Sequence, residues 1–134
     1  MESILAQSEW WFLERLNYVG ALLVVEVVEG REASVSKNIS IDGAGTIPDA
    51  RPIEVTDQNR RVRIQFSNVL VYQVTDESYG ASDLGKTKEI DGKILCQHNE
   101  SAYLKYVLQS TLIEHLVDLS KQKTAYENCN LNLN

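Results

Sequence analysis

The sequence is short of positive charge, cysteine, histidine and long apolar runs, and each shortage removes a class of function. Thirteen Lys and Arg stand against nineteen Asp and Glu, a formal charge of −6 with a pI near 4.9. That background potential repels phosphate backbones and argues against nucleic acid as a partner. The basic cluster Arg60, Arg61 and Arg63 is the local exception. Arg61 and Arg63 share one face of a predicted strand and read as a solvated edge that discourages strand aggregation.

The two cysteines, Cys96 and Cys129, have no C-x-x-C spacing and read as free thiols in a chain without an export signal. The two histidines, His98 and His115, do not form a ligand set with them, because metal sites generally need three or four ligands. No metal or cofactor is called for. The most apolar run, Ala21 to Val28, is interrupted by Glu26, whereas a membrane helix needs about 20 apolar residues. The start, MESILAQSEWWF, has neither the basic opening nor the apolar core of a signal peptide. A cytoplasmic protein that does not enter a membrane is expected. G-x-S-x-G, dinucleotide and paired-glutamate metal motifs are all missing. Gly43 to Thr46, GAGT, looks like a phosphate cradle but lacks the GxxxxGK[ST] pattern and a helix after it.

With 134 residues, 43% of them hydrophobic, the chain is long enough for one domain over 1–134 and too short for two ordinary ones. Arg60 to Tyr79, RRVRIQFSNVLVYQVTDESY, carries the clearest strand signal. Even positions Val62, Ile64, Phe66, Leu70, Tyr72 and Val74 alternate with odd ones that begin Arg61, Arg63, Gln65 and Ser67, which predicts an inner face. The stretch is long for one strand, so a bend, bulge or turn is expected at Ser67-Asn68.

Ahead of it, Ser3 to Asn17 suits a short amphipathic helix around Leu5, Phe12 and Leu16. Ala21 to Val28 reads as a central strand covered on both faces. Glu29 to Glu32 reads as a turn leading to a second strand, Ala33 to Ile41, so that the two form a hairpin. Asp42 to Pro52 reads as a surface loop, and Ile53 to Thr56 as a short strand ending in an Asp57-Gln58-Asn59 turn. Asp76 to Asn99 reads as an irregular connection with a short strand at Lys93 to Cys96. From Ser101 to Leu119 the period changes to that of a helix, either buried on two sides or broken near Ser110-Thr111. Ala125 to Leu133 reads as a terminal strand. The expected fold is α+β: a mainly antiparallel curved sheet or small sandwich of about six strands, with an N-terminal helix and one late helix packed on it.

Candidate sites follow from position. Asp76, Glu77 and Tyr79 sit where the long strand ends, a place where scaffolds present functional side chains. Adjacent carboxylates on an extended chain point to opposite sides, so a structural turn or a binding edge fits them better than an acid/base pair. Trp10 and Trp11 read as core packing or as an interface anchor. Cys96 and His98 are two apart, hence parallel rather than facing, which argues against a nucleophilic pair. His115 reads as a core-edge histidine. No catalytic residue is named.

Phe66 to Tyr79, followed by the aliphatic and tyrosine-rich Ser101 to Val107, resembles a group of small uncharacterised bacterial proteins. The pattern rests on Phe66, Tyr72, Asp76, Glu77, Ser78 and Tyr79. Some members of such groups are encoded near toxin systems and are suspected immunity proteins. The pattern residues carry no established chemistry, and the sequence shows no catalytic constellation. Together with the −6 charge this leads to a non-catalytic, acidic module that binds a basic surface. Two alternatives stay open. One is a small enzyme or ligand-binding module with a pocket between sheet and late helix, using His115 or His98 with Glu77. The other is a homodimer that buries Val69 and Val71, or Trp10 and Trp11.

Overall fold

The computed structural model describes residues 3–76, 87–91, 95–98 and 102–118. The fold is α+β with mainly antiparallel sheets. The chain opens with a single 3-10 turn, Ile4–Gln7, capped by the Ser3 hydroxyl, which accepts from the Leu5 N–H at 3.2 Å. It then enters strand β1, Trp11–Val19. The helix expected over Ser3 to Asn17 is therefore only this turn. The helical spacing of Leu5, Phe12 and Leu16 is overridden because Leu13 and Leu16 pack against a valine-rich partner strand, with a bulge at Glu14 keeping both on the core side.

That partner is β2, Leu22–Glu29. Gly20 and Ala21 join the two strands with φ of 58° and 63°. Positive φ at both central positions is the tight hairpin geometry that matches strand twist. Beyond β2 the backbone does not turn back at Glu29 to Glu32. It runs through Gly30 into β3, Arg31–Glu32, and then β4, Lys37–Ile41. It reverses at Asp42 to Ala44 and returns through β5, Gly45–Ala50, β6, Ile53–Glu54, and β7, Arg61–Phe66. The pairs β4 with β5, β3 with β6 and β2 with β7 are all antiparallel. Residues 22–66 are thus one long hairpin, whose outer half projects as a two-stranded ribbon.

Two expectations change here. The loop over Asp42 to Pro52 contains the strand Gly45–Ala50, and the partner of Ala21 to Val28 is β1 rather than Ala33 to Ile41. Positive φ at Gly43, Gly45 and Asp49 confines the turn and irregularity to single residues, so the segment's turn-forming composition leaves room for a ladder between them. The GAGT motif forms this reversal.

The sheet order β1-β2-β7 makes β2 central, as expected, with most of its buried side chains on one face and Val28 buried on the other. Leu23, Val25 and Val27 are buried with Leu5 and Trp11, and Leu13, Leu16, Val62, Ile64, Phe66 and Val69 pack against them. On the other face Glu26 lies between Arg15 and Arg63.

After β7, Asn68 adopts φ 58° at the expected bend. Beyond the bend no strand forms through residue 76, so the alternation ends there. Val69 packs inward, while Leu70, Tyr72 and Val74 are 41%, 42% and 50% exposed. The predicted inner face therefore holds for Val62, Ile64 and Phe66 and fails beyond the bend.

Further on, β8, Thr87–Asp91, pairs with β9, Leu95–His98, where the sequence suggested one short strand. The late helix breaks where expected, into α1, Ala102–Ser110, and α2, Ile113–Leu116. The Thr111 hydroxyl donates back to the Val107 carbonyl at 2.7 Å, a local bond that competes with helix continuation. Val107 is the buried residue of the late helix, and among the described residues the core cluster of the three-stranded sheet holds no residue of either helix. The expected strand Ala125 to Leu133 lies outside the described residues.

Candidate functional site

The root of the projecting ribbon is held by a polar cluster that the apolar pattern of β2 hides. Glu29 is the last residue of β2, opposite Trp11 of β1, and its side chain is only 5% exposed. The Arg60 guanidinium closes on it with two bonds, Nε to Oε2 at 3.0 Å and Nη2 to Oε1 at 2.6 Å. Arg31 donates to the same Oε2 from Nε at 3.0 Å. Arg60 also donates to the Gln7 Oε1 at 2.8 Å and lies 6.0 Å from the Trp11 ring centre. Forked guanidinium-carboxylate bonds of this kind are among the stronger protein hydrogen bonds. The Arg60 bonds hold the Glu29 carboxyl at a pKa of about 2, against the opposing pull of burial, with Arg31 adding to the effect.

Asn59 completes the cluster and is itself buried. Its Nδ2 donates to the Glu29 carbonyl at 2.7 Å and the Glu54 carbonyl at 3.1 Å, while its Oδ1 accepts from the Thr56 hydroxyl at 2.6 Å. One amide thus bridges the end of β2 to the end of β6, across the point where Thr56 to Arg60 loops out between β6 and β7. Gly30 sits beside it, hydrogen-bonded from its N–H to the Trp10 carbonyl at 2.9 Å.

An open cleft of about 340 Å³ lies against this root, between the 3-10 turn and Glu29 to Glu32, with Glu9, Trp10 and Arg31 on its walls. A second, of about 300 Å³, lies on the wet face of the sheet among Arg15, Glu26, Arg63 and Gln65. Neither of these two clefts is lined by histidine or cysteine.

The basic cluster is not a free cationic patch. Arg61 donates from Nε to both Glu14 oxygens at 3.0 Å, Arg63 reaches Glu26 at 2.7 Å, and Arg15 approaches Glu26 at 3.5 Å. Bonds from Arg63 lower the Glu26 pKa. These residues form cross-strand rows of alternating charge, the sheet counterpart of a helical ion pair. The solvated-edge reading of Arg61 and Arg63 holds for their position, and the glutamates opposite neutralise them.

Of the sequence-predicted site residues, Trp11 is 1% exposed and its Nε1 donates to the Leu5 carbonyl at 3.1 Å, so it is a core residue. Trp10 is half-buried and faces the first cleft. Asp76 is exposed at the end of the apolar run Val69 to Val74, while Glu77 and Tyr79 lie outside the described residues. That run is tied to the hairpin end by Tyr18. Its hydroxyl donates to the Val69 carbonyl at 2.8 Å, and its ring sits 5.1 Å from Tyr72. His115 is exposed on α2 rather than at the edge of the core, because a four-residue helix covers too little to bury it. Cys96 and His98 lie on β9, opposite Glu89 and Thr87.

The Glu29–Arg60–Asn59 cluster was not named from the sequence. Its one visible sign is an acid placed on the inner phase of a valine run, Val25-Glu26-Val27-Val28-Glu29, where Glu29 continues the spacing of Leu23, Val25 and Val27. No protein-family model matches the chain, and neither a curated protein nor a solved structure matches it significantly. Among the described residues no helix is long and apolar enough to cross a membrane.

Proposed function

We propose that the chain works by binding a protein that presents a basic surface, with Leu70, Val71, Tyr72, Val74 and the following Asp76 as the contact. The observation that carries this reading is the exposure of the apolar run. Leu70, Val71, Tyr72 and Val74 are 37% to 50% exposed in succession and lead directly to a carboxylate. Contiguous exposed apolar side chains edged by charge are the usual anatomy of an interaction patch. Charge supports the same reading. Arg15, Arg31, Lys37, Arg60, Arg61 and Arg63 each engage a glutamate, so the surplus of acid falls on other surface carboxylates. A negative surface of this kind speeds encounter with a cationic partner.

The specific form suggested by the Phe66 to Tyr79 pattern is an immunity-type protein, which would occupy the basic surface of a toxin. The test is co-purification from the native host with the wild-type chain and with Val74→Asp and Tyr72→Ala variants, at low and high salt. One protein retained by the wild type, lost with either variant and weakened by salt supports the reading. Recovery of the same proteins by all three chains would refute it.

A further inference from the structure

We infer that Asp42-Gly43, at the far end of the ribbon, is a site of covalent modification, where the aspartyl bond rearranges through a cyclic imide to an isoaspartyl bond. The inference is independent of the partner-binding reading, since it concerns a different surface and needs no partner.

The chemistry uses only the chain and water. The Gly43 backbone nitrogen attacks the side-chain carboxyl carbon of Asp42, a C–N bond forms, and the carboxyl hydroxyl leaves with the amide proton as water. Water then reopens the ring at either carbonyl. Opening at the side-chain carbonyl restores aspartate, whereas opening at the α-carbonyl routes the backbone through the side chain and lengthens it by a methylene. The mass is unchanged and nothing is oxidised or reduced.

The reversal leaves both reacting groups unoccupied. Ile41 and Gly45 form the last pair of the β4–β5 ladder, and Asp42, Gly43 and Ala44 between them are all exposed. The bond that closes the turn comes from Ala44, whose N–H donates to the Ile41 carbonyl at 3.0 Å. Among the described residues the Gly43 N–H donates to no acceptor, and no hydrogen bond or ion pair holds the Asp42 carboxylate. Aspartate side chains readily reach neighbouring backbone N–H groups, the same short approach that the attack requires. Gly43, at φ 81°, offers no Cβ to crowd the nitrogen, and the space where one would stand is open.

Nearby aspartates lack these conditions. The N–H that follows Asp57, that of Gln58, donates to the Thr56 hydroxyl at 3.3 Å. After Asp49 comes Ala50, which carries a Cβ and pairs with Lys37. The chain's other pair of this type, Asp91-Gly92, ends outside the described residues.

The full chain, held folded in neutral buffer at body temperature for weeks and then digested with trypsin, tests this. Asn38 to Arg60 is released as one peptide holding Asp42, Asp49 and Asp57, because trypsin does not cut before Pro52. A second chromatographic form of the same mass should accumulate in it, which an aspartate-directed protease cuts before Asp49 and Asp57 but not before residue 42. Asp42→Glu, which would have to close a larger ring, should lose that form. Asp42→Asn should convert faster, with loss of ammonia, because an amide is the better leaving group. No resistant form at residue 42, equal resistance at Asp49 and Asp57, a second form that survives in Asp42→Glu, or an Asp42→Asn chain that keeps its amide each overturns the inference.

Discussion

Arg60 reaches from the start of β7 to grip both carboxylate oxygens of Glu29 at the end of β2, 31 residues earlier in the chain, at 2.6 and 3.0 Å. The pair locks the ribbon to the sheet at the level of Trp11, where β1 begins. Removing Arg60 leaves a buried carboxylate with only Arg31 to balance it, and uncompensated buried charge is costly. Arg60→Ala is expected to lower the midpoint of urea denaturation, and by more than Arg63→Ala, whose partner Glu26 is more exposed than Glu29. Arg60→Met with Glu29→Leu should cost much less than the two single changes added together, because neither charge is then stranded.

Acid should release the same lock. The folded Glu29 pKa is depressed to about 2 from an ordinary value of 4.5. Its stabilisation is therefore fully present above the unfolded pKa and lost as pH falls through the folded one. Stability should drop by about 2 kcal/mol between pH 4.5 and pH 2 from this group. Glu29→Gln should flatten that part of the profile, measured by denaturation at a series of pH values, while lowering stability at neutral pH.

Gly30 is held by crowding rather than by a special backbone angle. A Cβ there would collide with the Phe12 ring and sit 2.6 Å from Ile53. An aromatic ring wedged against the backbone has little room to retreat. Gly30→Ala should destabilise by about 1 to 3 kcal/mol and should loosen β3 from β6 first, read as faster amide exchange at Ala33.

At the β1–β2 hairpin the second turn residue is Ala21, at φ 63°. This hairpin geometry prefers asparagine and then glycine at its two central positions. The double change Gly20→Asn with Ala21→Gly should raise stability by about 1 kcal/mol, seen as a higher melting temperature with no change in the sheet.

What the sequence made legible was alternation, and what it concealed was phase and partnership. Val62, Ile64 and Phe66 read correctly as inner because a strand's period is fixed by its backbone. Leu70, Tyr72 and Val74 did not, because the strand ends at the bend where Asn68 is left-handed, and the sequence marked the bend without showing that the ladder stops there. Leu5, Phe12 and Leu16 suggested a helix because a strand with a bulge at Glu14 mimics helical spacing. The break in the late helix was visible at Ser110-Thr111, where a hydroxyl competes for the backbone. Asp76 was placed at a strand's end and lies exposed at the end of an apolar run instead. The Glu29–Arg60 lock was beyond reach, since its partners are distant in sequence and each has an ordinary local explanation.

The Asp42 to Ala44 reversal is the far end of a ribbon attached at its root, around Glu29, Gly30, Asn59 and Arg60. Nothing in the core cluster comes from residues 31–54. The reversal can therefore accept inserted sequence, such as a fluorophore-bearing peptide, with the core's melting behaviour preserved. It offers a reporter position that reads events on the ribbon without disturbing the sheet beneath it.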